Sequence, residues 1–237
     1  MYYLYDIIIY KPLLNLMVFT YNIIPGHDIG IVIILLTLAI RFILAPQMHK
    51  SLHSQKKMTA LQPKLKELKE KHKGDKVAEG QATMQLYKEH GVSPWGSCLP
   101  LLIQLPFLIA IYQVFTHALN GQNIEGLYSF VHNPGTIKPM FLNIMDLSKF
   151  SWTLTILSTF AQYWQAKMMV SKDPNADPTA QAMQKQTMYI LPLLTLFMAY
   201  KLNLPAGLLL YWVLTSLFQI GQQYYVLRQN DEPAANS

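Results

Sequence analysis

One cysteine, Cys98, stands in 237 residues, so no intrachain disulfide can form and no thiolate cluster can hold a metal. Charged residues make up only 14% of the chain, against 51% hydrophobic, too few for an ordinary soluble domain of this size. Beyond Asp28 at the edge of the first, the long apolar runs contain no aspartate or glutamate, which excludes an intramembrane aspartyl protease or a carboxylate-based proton pump. No GxSxG elbow, P-loop or HExxH motif is present. The seven histidines lie in loops or at the ends of apolar runs, and no pair brackets a cysteine or carboxylate at metal-ligand spacing. No catalytic residue, metal or cofactor is expected. Residues 1–27 carry neither a basic n-region with a small-residue cleavage site nor an Arg-rich presequence, so a bacterial plasma membrane is expected rather than an organelle reached by import.

Apolar length is what the chain does have. Segments 28–46, 94–119, 150–170, 187–202 and 206–226 approach the roughly 20 residues that cross about 30 Å of hydrocarbon. The fourth is the shortest and contains Pro192. The expected fold is an all-α polytopic membrane protein, a five-transmembrane-helix core with a cytoplasmic helical hairpin. Of the 19 Lys and Arg residues, fourteen flank one side of these spans, four (Lys11, Lys138, Lys149, Lys201) flank the other, and Arg41 lies within the first. Basic loops stay in the cytoplasm, which predicts the N-terminus outside and the C-terminus inside. The same topology explains the basic pI without nucleic acid.

Residues 1–27 are apolar but broken by Lys11-Pro12 and Asn15, and read as an external amphipathic helix on the outer interface, with Tyr and Phe at headgroup depth. A sixth span is the alternative, and would move the start of the chain to the cytoplasm. Residues 47–93 are rich in Lys, Glu and Gln. Met58, Leu61, Leu65 and Leu68 recur at helical spacing, the pattern breaks at residues 72–75, and Val77, Met84, Leu86 and Tyr87 resume it. An antiparallel hairpin follows, its first arm bent or restarted at Pro63. It reads either as a solvated charged hairpin or as a surface for anionic headgroups or a cytosolic targeting factor. Residues 120–149 form an external loop. The cytoplasmic loop 171–186, with two Asp-Pro steps, is expected to be mobile. Residues 203–205 make a tight external turn, and 227–237 a short, non-basic cytoplasmic tail.

The most informative residue is Arg41. A guanidinium near the middle of a membrane helix costs about 2.5–3.5 kcal/mol on insertion scales and tends to face a polar interior. Thr37 shares its helix face one turn earlier, and Thr155, Ser158, Thr159 and Gln162 share a face of the third span. If the two faces converge they line a hydrated pocket; if they do not, each hydroxyl makes an ordinary interhelical hydrogen bond. Arg41 also lies about five residues, roughly 7–8 Å, from the cytoplasmic end of its span, within reach of snorkelling to the headgroups. The residues alone leave pocket and snorkelling open.

The strings LTLAIRFILAP (36–46), LQPKLKELKEKHKGDK (61–76), MQLYKEHGVSPWGSCLPLLIQLPFLIAIYQ (84–113) and NLPAGLLLYWVLTSLFQIGQQ (203–223) resemble the YidC/Oxa/Alb family of membrane protein insertases, in order and over most of the chain. The resemblance implies a five-helix core around a hydrophilic groove, open to cytoplasm and lipid and closed outside. It implies Arg41 and Thr37 inside that groove, and Tyr211 and Trp212 as an aromatic pair against a passing substrate helix. Gln162 or Gln165 would supply groove polarity, and Gln104, which belongs to a matching string, is a further groove residue. The implied partners are nascent membrane proteins and the lipid bilayer, with the Sec translocon, the ribosome and a targeting factor reached through the hairpin. The chain departs from longer bacterial members in having no additional N-terminal anchor, large external domain or basic C-terminal extension, and no lipoprotein cysteine, which puts ribosome docking through the tail in question. A small anion channel or transporter is the alternative function, though the chain has no internal repeat or paired broken helices. A holding chaperone that does not insert its clients is a third.

Overall fold

The structure, a computed structural model, describes residues 2–119, 124, 126–171 and 173–228, without the side chains of 2, 94–101, 118 and 119. Lys172, part of the loop after 119, the side chain of Cys98 and the tail beyond Arg228 lie outside the described residues. The chain is helical almost throughout. α1 (Tyr2–Tyr5), a π-helical turn (Asp6–Tyr10) and α2 (Lys11–Ile23) follow one another without a break. The wide turn precedes Pro12, which has no N–H to return to the carbonyl of Ile8. Leu13, Leu14, Met17, Val18 and Tyr21 of α2 are buried, spaced so that one face packs on the helices that follow. The expected interfacial helix therefore buries its apolar face in protein, while Tyr3, Leu4 and Ile8 of the preceding turns stay exposed. Asn15, which interrupts the sequence pattern, donates to the carbonyls of Lys11 and Gly126 and accepts from the N–H of Tyr128. It pins the loop that follows α6.

Asp28 caps α3 (Ile29–Ala60) by accepting from the N–H of Ile31 at 3.0 Å. This helix passes through Pro46 and continues for 32 residues, about 48 Å at 1.5 Å per residue, so the first arm of the expected hairpin begins as an extension of the first span. Residues 47–60 contain neither Gly nor Pro, and nothing local stops the helix. Pro63 then restarts the chain in the first turn of α4 (Gln62–Lys71), where its missing N–H is harmless. Gly74, at φ 101, takes the tight turn, and Asp75 caps α5 (Lys76–Glu89) through the N–H groups of Val77 and Ala78.

α6 (Pro94–Leu119) leads to the loop expected to be external, whose two short antiparallel strands, β1 (Met140–Phe141) and β2 (Met145–Asp146), sit over the start of α3. The Phe141 ring lies so close to Gly30 that a Cβ there would fall 2.0 Å from it. α7 (Trp152–Met168), α8 (Pro178–Lys201) and α9 (Ala206–Arg228) complete the bundle. α8 begins nine residues before the expected start of the fourth span. Asp177 and Pro178 form a strong helix start, and the Asp177 carboxylate accepts from the N–H of Ala180 at 2.8 Å. The preceding loop is tied rather than loose. Gln184 accepts from the N–H of Ser171, Gln181 donates to the carbonyl of Asp173, and Asp173 accepts from the N–H of Asn175.

α9 packs against both α3 and α7, α6 packs on α3 and also touches α9, and α8 packs on α7. Its N-terminal turn is fixed by the N–H of Ala206 on the carbonyl of Lys149 (2.8 Å) and that of Gly207 on Leu147 (2.9 Å). Among the described residues, α3 alone is both long and apolar enough to cross a membrane by length and composition. Large apolar side chains are nonetheless exposed on every long helix, including Phe42, Leu105, Phe160, Phe197 and Leu217. That is more exposed apolar surface than a soluble domain carries.

Candidate functional site

The bundle has two unlike halves. Towards the strand end, the interior is built from Leu14, Met17, Ile29, Ile33, Val114 and Leu209, each at most 2% exposed. A cavity of about 10 Å³ between α2, α3, α6 and α9, lined by Leu13, Ile33, Thr37, Ile111 and Tyr211 among others, is at the limit for one water and nearly devoid of polar partners for it. Towards the lysine-rich end the interior becomes polar, with Arg41, Ser51, Thr215, Ser216 and Gln223 all buried. α9 shows the change within one helix. Its first turns bury Leu208, Leu209 and Leu210, its later turns Thr215, Ser216 and Gln223.

Arg41 sits at this boundary and is 1% exposed. Among the described residues no carboxylate pairs with it. Its Nη2 donates to Gln104 Oε1 at 2.8 Å, and Gln104 Nε2 donates in turn to the Tyr211 hydroxyl. Thr37, one turn before Arg41, is 2% exposed and satisfies its own hydroxyl on the carbonyl of Ile33 at 2.6 Å. Arg41, Gln104, Tyr211 and Thr37 thus meet at one point where α3, α6 and α9 converge. Snorkelling does not occur. Trp212 is half-buried beside Tyr211 on α9.

The glutamines of α7 are used elsewhere. Gln162 accepts from the hydroxyl of Thr195 at 2.9 Å, joining α7 to α8, and Gln165 donates to Gln219 at 2.5 Å, joining α7 to α9. The hydroxyls of Thr155, Ser158 and Thr159 return to carbonyls of their own helix. The α7 hydroxyl face therefore lends no free polarity to Arg41. The resemblance had put Gln104 among the groove residues, but its relay from Arg41 to Tyr211 was not legible, since a lone glutamine in a span has no periodic partner in the sequence. Sequence reading also missed the buried polar atoms of the lysine-rich half. Arg41 Nε, Thr215 Oγ1, Gln222 Oε1, Gln223 Oε1 and Gln62 Oε1 are buried with no hydrogen-bond partner among the described residues, an expensive arrangement for a permanently closed interior. All five lie at Arg41 or on its lysine-rich side.

At the root of the hairpin, His49 and His53 of α3 face each other with Nε2 atoms 3.0 Å apart. Burial, together with His49, Lys56 and Lys57, holds His53 below the usual histidine range. Among the described residues no three metal-ligating side chains gather here or elsewhere.

Residues 19–233 match the family described as 60Kd inner membrane protein. The chain is 38% identical over 221 residues to the membrane protein insertase YidC of Syntrophus aciditrophicus, covering 92% of this chain and 36% of that protein. It is 37% identical over 218 residues to the protein of the same name from Geotalea daltonii, covering 91% and 36%. With that of Streptomyces avermitilis it shares 29% over 235 residues, covering 90% and 54%. The chain thus spans between about a third and a half of the length of these relatives. A match running through α3, the hairpin, α6 and the α7–α9 bundle leaves one assignment: the chain belongs to the 60Kd inner membrane protein family.

Proposed function

We propose that the chain is a membrane protein insertase of the bacterial plasma membrane, with five spans (α3, α6, α7, α8 and α9), the N-terminus outside and the lysine-rich end in the cytoplasm. The observation that carries this reading is the polarity step at Arg41. The outer half of the bundle is largely apolar, its buried Asn15, Thr155 and Ser158 all hydrogen-bonded, and is capped by the loop after α6, while the inner half buries polar atoms that lack partners among the described residues. Such an interior suits a groove entered from the cytoplasm and sealed on the other side, and argues against a continuous anion pore. Exposed apolar side chains on all five helices suit solvation by lipid.

The chemistry is physical, with no bond made or broken. The polar, often acidic tail of a nascent membrane protein enters from the cytoplasm, and a carboxylate displaces Gln104 from Arg41. A hydrogen bond from a cation to a neutral amide is exchanged for one between opposite charges, in surroundings where Coulomb attraction exceeds its value in water. Thr37 and Gln104 supply hydrogen bonds that replace part of the tail's hydration. The client's apolar segment passes Tyr211 and Trp212 into lipid, driven by about 25 cal/mol per Å² of apolar surface removed from water. Gln162 and Gln165 brace α7 against α8 and α9 rather than touching the client. The hairpin receives clients from the ribosome, a targeting factor or the Sec translocon.

The test is insertion of a small acidic-tailed client into vesicles containing the purified protein, read by protease protection. Arg41→Lys should retain most activity, and Arg41→Ala and Arg41→Glu should lose it. Unchanged insertion by the Glu variant refutes the attraction step. Protein-dependent anion flux without insertion would favour a channel, and client binding without insertion a holding chaperone.

A further inference from the structure

His49 and His53 stand one turn apart on α3, just past Pro46, which has no N–H to return to the carbonyl of Phe42. Both rings are half-buried. They turn their Nε2 atoms to each other at 3.0 Å, with ring centroids 4.5 Å apart and planes at 75°. The end of α9 forms the adjacent wall. The Tyr225 ring lies 6.2 Å from that of His49, and Lys56 Nζ donates to the carbonyl of Leu227 at 3.3 Å.

No third histidine, cysteine or carboxylate joins the pair among the described residues, and that donor set is selective. Calcium and magnesium require oxygen ligands, whereas two neutral imidazoles suit copper, nickel and zinc. The geometry agrees. Metal–nitrogen bonds of about 2.0–2.1 Å set two nitrogens about 2.8–3.0 Å apart in adjacent square-planar positions and about 3.3–3.4 Å apart in tetrahedral ones. The observed 3.0 Å meets the first and reaches the second by a small ring rotation. A ligating imidazole must be neutral, and burial first, then His49, Lys56 and Lys57, hold His53 below the ordinary histidine range. Charged lysines have no lone pair to offer a metal, so these two weaken the site without occupying it.

We infer that His49 and His53 form an open site for a divalent transition-metal ion (copper, nickel or zinc), with water or another exchangeable ligand in the remaining positions, and that the bound ion staples α3 across the turn that follows Pro46. The inference goes beyond the insertase reading and stands or falls without it.

The test uses the full chain in vesicles of zwitterionic lipid, stripped with chelator and titrated with Cu²⁺. Electron paramagnetic resonance should show splitting from two imidazole nitrogens at the first equivalent. His49→Gln and His53→Gln should each weaken that binding at least about tenfold, as much as the loss of a second-sphere partner costs, while His72→Gln leaves it unchanged. Lys57→Gln, at an exposed position, removes repulsion without removing a ligand and should tighten it. Zn²⁺ should slow amide exchange in residues 50–57 of the unmodified chain and not in the His49→Gln variant. Cu²⁺ affinity equal in the histidine variants and the unmodified chain, or a spectrum with one imidazole nitrogen, overturns the site and leaves the rings sharing a proton only. Failure of client insertion sinks the insertase reading and leaves these metal measurements untouched.

Discussion

Arg41 is paired with a neutral amide, and that choice of partner decides how it can act. On the proposed insertase reading, a resident carboxylate would cancel the charge offered to a client tail, whereas Gln104 holds the guanidinium in place without neutralising it. Gln104→Glu is therefore expected to keep the protein folded yet lower insertion of acidic-tailed clients, measured in the vesicle assay; full activity would show that the free charge is not what matters. Gln104→Leu should instead destabilise by about 1–3 kcal/mol, the cost of stranding a buried donor, read as a lower unfolding temperature in detergent. Gly30→Ala should cost a similar amount, about 1–3 kcal/mol for forcing atoms into a packed site, because Phe141 occupies the space. Asp146 sets a pH limit on the β1–β2 loop. Burial alone would raise its pKa, but hydrogen bonds from Ser148 and Lys149 outweigh it and hold the carboxyl below its ordinary 3.8. A depressed value contributes stability that is complete above the unfolded pKa and lost as pH falls through the folded one. Backbone amide exchange in residues 140–149 should rise only below about pH 4, and Asp146→Asn should remove that dependence.

At the scale of elements, apolar periodicity located α6 and α9 because both carry long runs ended by clear breakers. It was weaker where polar residues continue a helix. α3 runs past Pro46 since Gln47 to Ala60 contains no residue that stops it, and α8 starts at Pro178 since a cap there outweighs the polarity of its first turns. The N-terminal segment looked interfacial because Asn15 interrupts it, yet Asn15 is satisfied by the external loop, which no local pattern reveals. In the hairpin, Asp75→Ala should cost about 1 kcal/mol as a lost cap, read as faster amide exchange in α5. Deleting residues 62–90 with a short linker should leave the helical core folded, by circular dichroism, and impair delivery of ribosome-targeted clients. Normal delivery by that variant would remove the hairpin from the receiving role.

For the whole molecule, the arrangement of helices predicts one-sided access. A cysteine at position 41, in a Cys98→Ala background, should react with a membrane-impermeant maleimide from the cytoplasmic side only. Reaction from the outer side would contradict the apolar seal formed by Leu14, Met17, Ile33 and Val114. Composition by itself determined that this is a helical membrane chain and where its unusual cation lies, because hydrophobic length is a property of segments. Only the tertiary structure decided that Arg41 turns inward to Gln104 and Tyr211, that the α7 glutamines serve α8 and α9, and that hairpin and loop are joined by Lys69 and Asp177. Those outcomes depend on which helix faces meet, and the partners stand 63, 107 and 108 positions apart, beyond the reach of any local period.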